Sequence, residues 1–133
     1  MVENTDKALA RTCHATGASV REYTLAPIFL KGAQKGGHEW LIEFEKAPAD
    51  LSHFSHLLDQ NLQHINSDYE AKRYHNMALN ELVLRPMPSG TFHNWLKWKG
   101  KYGGQNKVPR LSNERKYVEE ILAFLNGQTV NGG

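Results

Sequence analysis

Hydrophobic and polar positions follow two different periods along this chain, and each change of period marks an element. Ala8, Leu9, Thr12 and Cys13 recur at helical spacing, which predicts a helix over Asp6 to Thr16 with Gly17 as its stop. Ser19 to Leu30 is rich in β-branched and aromatic residues (Val20, Tyr23, Thr24, Ile28, Phe29) and reads as extended. Pro27 places that strand at a sheet edge, bends it or ends it. Lys31 to Gly37 holds three glycines and reads as a hairpin loop. His38 to Glu45 then alternates for the most part. Trp40, Ile42 and Phe44 point one way and Glu39, Glu43 and Glu45 the other, the pattern of a strand with one dry face and one wet face. The wet face is expected to be solvated, with docking as the alternative.

From Pro48 to Ile65 the period returns to 3.6. Leu51, Phe54, Leu58, Leu62 and Ile65 form one stripe, and the Asp50 carboxylate is placed to accept from free N–H groups of the first turn. Asn66 to Asn76 continues as a polar helical segment. Glu81 to Leu84 reads as a short strand closed by Pro86 and Pro88. Thr91 to Trp98 reads as a short helix burying Phe92, Trp95 and Leu96, followed by a basic, glycine-bearing loop over Gly100 to Leu111. Ser112 or Asn113 caps a last helix that buries Tyr117, Val118, Ile121, Leu122 and Leu125 and ends at Asn126-Gly127. The order α-β-β-α-(α)-β-α-α predicts an α/β (α+β) fold. It would be a small mixed three-stranded sheet with a β-hairpin, covered by about four to five helices.

Composition narrows this picture. The 133 residues suit one domain, expected over 1–126, with 127–133 as a disordered tail. At 40% apolar and 23% charged residues the chain is no candidate for wholesale disorder. It has no apolar run near the roughly 18 residues that span a bilayer. Cys13 is the only cysteine, which rules out an internal disulfide and a Cys-rich zinc site. With no charged and apolar leader pattern, a reducing, cytoplasmic setting is the expectation. The net charge of +2 is ordinary, but residues 85–116 hold eight Lys/Arg against the single acid Glu114, a local +7. Such a field attracts phosphates, nucleotides, nucleic acid or carboxylates.

Complete chemical motifs are scarce. His53 and His56 have a workable ligand spacing, yet they fall opposite the Leu51/Phe54/Leu58 stripe with no carboxylate or cysteine spaced to complete a metal site. No nucleophile elbow and no complete phosphate-binding glycine motif is present. The chemical segment is Gly100 to Arg110. Its glycines, Gly103 and Gly104 among them, permit close approach of a ligand. Gln105 and Asn106 supply amides. Lys107 precedes Val108-Pro109, which stiffens the backbone on one side of a compact point charge. Arg110 offers a planar fork for a phosphate or carboxylate, or pins the segment through a salt bridge. The same residues also fit a basic surface turn. Nucleic acid is the rival ligand, since Trp95, Trp98 and Tyr102 lie among the cations. The inward place of Trp95 and the low net charge oppose it.

Gly90-Thr91-Phe92, Trp95-Leu96 and Gly104-Gln-Asn-Lys-Val-Pro-Arg110, with His38 to Glu45 and Leu62 to Arg73 upstream, together resemble the C-terminal domain of the Gretchen Hagen auxin-responsive family. These are acyl-acid amido synthetases of the luciferase-like adenylate-forming superfamily. The resemblance covers roughly residues 5 to 125. It is closer to the bacterial branch than to the plant branch, whose substrates include auxin, jasmonate and benzoate. It implies a ligase that activates a carboxylic acid with ATP and Mg²⁺ and passes the acyl group to an amine or amino acid. The small C-terminal domain acts as a mobile lid on a large N-terminal domain that is not in this sequence. It further implies that Lys107 is the lysine brought to the nucleotide during adenylation, with Gln105, Asn106 and Arg110 near the phosphates. No metal ligand is implied in this segment. Asn66, Tyr69 and Arg73 lie in a family-like stretch without an assigned role. The isolated chain is expected to be inactive and to carry no bound cofactor. Two alternatives stay open: transfer to a thiol such as coenzyme A, and a non-catalytic basic module for nucleic acid or an anionic partner.

Overall fold

Strands β1 (Ser19–Ile28), β2 (Gly37–Lys46) and β3 (Val83–Met87) form one sheet with β2 in the middle. The computed structural model describes residues 2–29, 36–76, 78–103 and 107–131. β1 and β2 run antiparallel, pairing Tyr23 with Ile42 and Leu25 with Trp40, with an irregularity between Ser19 and Glu22. β2 and β3 run parallel, pairing Trp40 with Leu84 and Glu43 with Met87. A parallel pair needs a crossover. Here α2 (Leu51–Ile65), α3 (Ser67–Arg73) and a 3₁₀ turn at Tyr74–Asn76 supply it. Helix α1 (Val2–Thr16) precedes the sheet, and α4 (Thr91–Gly103) and α5 (Lys116–Asn131) follow it. The sheet is therefore mixed, with one hairpin and five helices, as the hydrophobic pattern predicts.

Local chemistry explains most boundaries. Gly17 takes φ +77°, and its N–H closes α1 on the Cys13 carbonyl at 2.8 Å. Asp50 caps α2 by accepting from the His53 N–H at 3.1 Å. Asn66 ends α2 and caps α3 through the Tyr69 N–H at 3.1 Å.

Several boundaries differ from the sequence expectation, beginning with α1, which starts at Val2 and not at Asp6. β3 runs on to Met87 and contains Pro86 instead of stopping before it. As an edge strand it needs no donor on its outer side, so proline is tolerated there. α4 continues past Trp98 to Gly103, carrying Gly100 inside a helix at a cost of about 1 kcal/mol. α5 begins at Lys116, not at Ser112 or Asn113. The Ser112 hydroxyl closes a local turn on the Glu114 N–H at 3.1 Å, and the Arg115 carbonyl accepts the Glu119 N–H of the first helical turn. At its other end α5 passes Asn126-Gly127 and remains helical to Asn131.

The sheet is covered on both faces. Tyr23, Leu25, Trp40 and Ile42 pack with Ala8 and Leu9 of α1 and with Phe54, Leu58 and Leu62 of α2. Ring contacts order this layer: Tyr23 stacks on Trp40 at 5.3 Å and Phe44 meets Phe54 edge-on at 5.2 Å. Ala26, Leu41 and Met87 pack on the opposite face with Phe92 and Trp95 of α4, Val118 and Ile121 of α5, and Val108. Burying each large apolar side chain contributes about 1.5–3 kcal/mol.

This second layer overturns the expected wet face. Glu39 and Glu43 are 4% and 1% exposed, and only Glu45 of the three reaches solvent. Buried carboxylates persist when charge-assisted donors answer them. Glu43 accepts from the Gly90 and Phe92 N–H groups at 2.9 and 3.0 Å, at the start of α4, where the helix dipole also favours a negative charge. Arg21 adds a contact at 3.4 Å. Glu39 bonds Arg85 of β3 and, at 2.7 Å, Arg115 before α5.

Candidate functional site

The predicted basic segment is divided by the extension of α4. Gly103 is the last helical residue and stands at the end of the α4 rod. Gly104, Gln105 and Asn106 lie outside the described residues. Lys107 follows as an exposed residue in a bend. Val108 is buried in the second core layer beside α4 and α5. From there the chain runs along the outer edge of β1. The Leu25 N–H donates to the Arg110 carbonyl at 2.8 Å, and the Ser112 N–H donates to the Leu25 carbonyl at 3.3 Å. Leu25 and Leu111 form a parallel bridge. The buried Thr24 hydroxyl donates to the Pro109 carbonyl at 2.6 Å.

Arg110 is committed to protein carboxylates. Its Nε reaches Glu22 Oε1 at 3.0 Å, and its Nη1 reaches the two Asp6 oxygens at 3.3 and 3.4 Å. The guanidinium lies 5.4 Å from the centre of the Tyr23 ring. The bond to Glu22, chiefly, keeps Arg110 more firmly charged than an isolated guanidinium. Burial and then the hydrogen bond to Asp6 push the Tyr23 hydroxyl well above its ordinary range, so it stays a donor. Of the two roles open for Arg110 in the sequence, this geometry shows the pinning one.

The electrostatics of the region shift in the same sense. Four of the eight cations in residues 85–116, namely Arg85, Lys99, Arg110 and Arg115, form ion pairs with carboxylates. Those partners come from α1, β1, β2 and α5. Half of the cations behind the local +7 are therefore answered within the fold.

Other candidates resolve into structure. Asp59 is buried on α2. It accepts two hydrogen bonds from Arg73 Nε, each 3.0 Å, and one from the Tyr69 hydroxyl. Arg73 also donates to the Leu79 carbonyl at 3.1 Å. The family-like residues Asn66, Tyr69 and Arg73 thus hold α3 to α2. His53 and His64 are exposed, and His56 pairs with Glu81 at 2.8 Å on the surface. Among the described residues no group of three or more His, Cys, Asp or Glu side chains could hold a metal ion. Burial raises the Cys13 thiol, away from a reactive thiolate. Sequence reasoning missed Asp6, Glu22, Tyr23 and Thr24, which hold the segment after Lys107. They lie 85 to 104 positions from their partners, beyond any local pattern.

The sequence profile of the GH3 family C-terminal domain matches residues 3–116. The chain belongs to the GH3 family. Its fold recurs in solved structures at low sequence identity. One is described as "AtGH3.15 acyl acid amido synthetase in complex with 2,4-DB", at 12% identity and a TM-score of 0.66. Another is "GH3.15 acyl acid amido synthetase", at 12% identity and a TM-score of 0.68. In both, the match covers 90% of this chain and 23% of the other, so this GH3 C-terminal domain spans under a quarter of those proteins. A comparison with curated protein sequences gives no match. Among the described residues no helix is long and apolar enough to cross a membrane.

Proposed function

We propose that this GH3 C-terminal domain serves an acyl-acid amido synthetase as the mobile lid that presents Lys107 to the nucleotide during acyl-adenylate formation. The observation that carries the reading is the placement of Lys107. It is exposed, stands four positions past the last residue of α4, and precedes a backbone fixed to β1 and to the second core layer. In the proposed reaction an acyl carboxylate attacks the α-phosphorus of ATP and pyrophosphate leaves. The amine of an acceptor such as an amino acid then attacks the acyl carbon, forming the amide and releasing AMP. Negative charge gathers on the α-phosphate during the first step, and a positioned ammonium stabilises it. Closure of the domain excludes water that would hydrolyse the mixed anhydride. Mg²⁺ bound with ATP would neutralise its phosphates; no residue of this domain is assigned to it. The pockets for acid and amine belong to the large N-terminal domain, so the domain alone is proposed to be inactive. Placement in the bacterial branch and in the cytoplasm belongs to the same proposal.

Internal neutralisation of half the basic segment supports this reading over a nucleic-acid surface, which would present its cations to the phosphate backbone. The test is ATP–pyrophosphate exchange by the full-length parent protein and its Lys107→Ala variant, over a panel of carboxylic acids. Acid-dependent exchange that falls about 10²–10³-fold in the variant, the size of effect seen when one electrostatic stabiliser is removed, is expected. Exchange that survives the substitution in a folded variant would remove Lys107 from the chemistry.

A further inference from the structure

The backbone that follows Lys107 is tied to residues from the N-terminal part of the chain. Three positions separate Lys107 from Arg110, a reach of at most about 10 Å. Pro109 fixes one torsion on that path and restricts Val108 before it. Arg110 is then held on two carboxylates that are themselves oriented. The Tyr23 hydroxyl donates to Asp6 Oδ1 at 2.5 Å, and the Tyr23 backbone N–H donates to Glu22 Oε1 at 3.0 Å. A phosphate approaching Arg110 at Nε or Nη1 would meet Glu22 or Asp6 and be repelled by it. Thr24 fixes the Pro109 carbonyl independently.

We propose that Asp6 and Glu22, acting through Arg110, together with Thr24, acting through the Pro109 carbonyl, are positioning residues that set where the Lys107 ammonium stands, and that Arg110 is a tie within the domain and not a ligand of the nucleotide. The proposal rests on the reading of Lys107 as the adenylation lysine. A guanidinium bridging two carboxylates defines a direction as well as a distance, which a single lysine pair does not. Small misplacement of a reacting group lowers rate steeply while leaving ground-state binding nearly intact.

The experiment uses the full-length parent protein, with kcat and KM for ATP in pyrophosphate exchange measured separately. Arg110→Gln and the double variant Asp6→Asn/Glu22→Gln are each expected to lower kcat about tenfold with KM for ATP changed less than about twofold. Arg110→Lys should fall between wild type and Arg110→Gln. The reversal Arg110→Glu/Glu22→Arg should recover part of the loss, which a phosphate ligand could not do. Amide hydrogen exchange at Leu25 and Ser112 reads the ties without reference to activity, and both amides should lose protection in Arg110→Gln. A rise of KM for ATP in Arg110→Gln, with Asp6→Asn/Glu22→Gln silent, would make Arg110 a nucleotide ligand and overturn the proposal. Exchange that survives Lys107→Ala would instead bring down the functional reading, and the proposal with it. Collapse in Lys107→Ala with unchanged kcat in the Asp6, Glu22 and Arg110 variants would bring down the proposal alone.

Discussion

On one face of the sheet, Tyr23, Leu25, Trp40 and Ile42 meet α1 and α2 through apolar contacts and stacked rings. On the other, Glu39 and Glu43 lie buried beside Leu41, answered by Arg85, Arg115 and the first turn of α4. The first face gains stability from area removed from water, which is non-directional and tolerant of small shifts. The second depends on directed bonds to particular atoms, which fix where α4 begins and where α5 begins. Those helices flank the Lys107 segment. The face that carries α4 and α5 thus adds angle-specific interactions to its apolar packing, whereas the other face meets the sheet through packing. The first face has its own buried ion pair, Asp59 with Arg73, but that pair joins successive helices and leaves the sheet alone.

Substitutions can test this contrast. Phe54→Ala opens a cavity in the apolar layer and should cost about 3–5 kcal/mol in chemical denaturation, the largest single effect. Glu43→Ala leaves the buried Phe92 amide and the half-buried Gly90 amide unmet at the start of α4 and should cost about 2–4 kcal/mol, about 1–3 for the buried amide and about 1 for the other. Glu43→Gln retains an acceptor oxygen and should cost clearly less. Equal costs for the two would show that volume, and not hydrogen bonding, holds this face.

Acid should act on the two faces in different windows. Burial, and then Lys72, hold His38 below its ordinary 6.5. The unfolded chain therefore binds the proton more readily, and stability falls as pH drops from neutral through 6.5 toward the lower folded value. For Glu39 burial acts upward, but Arg85 and Arg115 outweigh it and hold the carboxyl below 4.5. Its contribution is full above 4.5 and is lost as pH falls through the folded value. His38→Gln should flatten the upper window of a stability–pH curve and Glu39→Gln the lower. A curve unchanged by either substitution would leave acid sensitivity unassigned to these groups. At the small end, Lys72→Ala removes an exposed pair with Asp68 at 3.1 Å and should shift stability by less than about 0.5 kcal/mol.

The first face was legible in the sequence because its chemistry is periodic. The Leu51, Phe54, Leu58, Leu62, Ile65 stripe, the Asp50 cap and the Gly17 stop all act locally. The second face was misread because a buried glutamate and a solvated glutamate look alike in an alternating strand. What separates them is a donor supplied 46 to 76 positions away, as Arg85 and Arg115 are for Glu39. The same holds at the candidate site. The stiffness that Pro109 gives Lys107 could be read from neighbours, whereas the partners of Arg110 and of the Pro109 carbonyl could not. The length of α4 was misjudged because Gly100 and Gly103 were read as loop residues, although a helix tolerates a glycine at modest cost.

Both outer strands of the sheet carry a proline: Pro27 in β1 and Pro86 in β3. An edge strand with a full row of amides is a template for another chain, and a proline interrupts that row. The Leu111 bridge occupies a further stretch of the β1 edge. When heat or synthesis leaves the helices loosely docked, the exposed sheet therefore makes a poor seed for intermolecular β-structure. Two prolines thus guard the domain against aggregation at the two margins of its sheet.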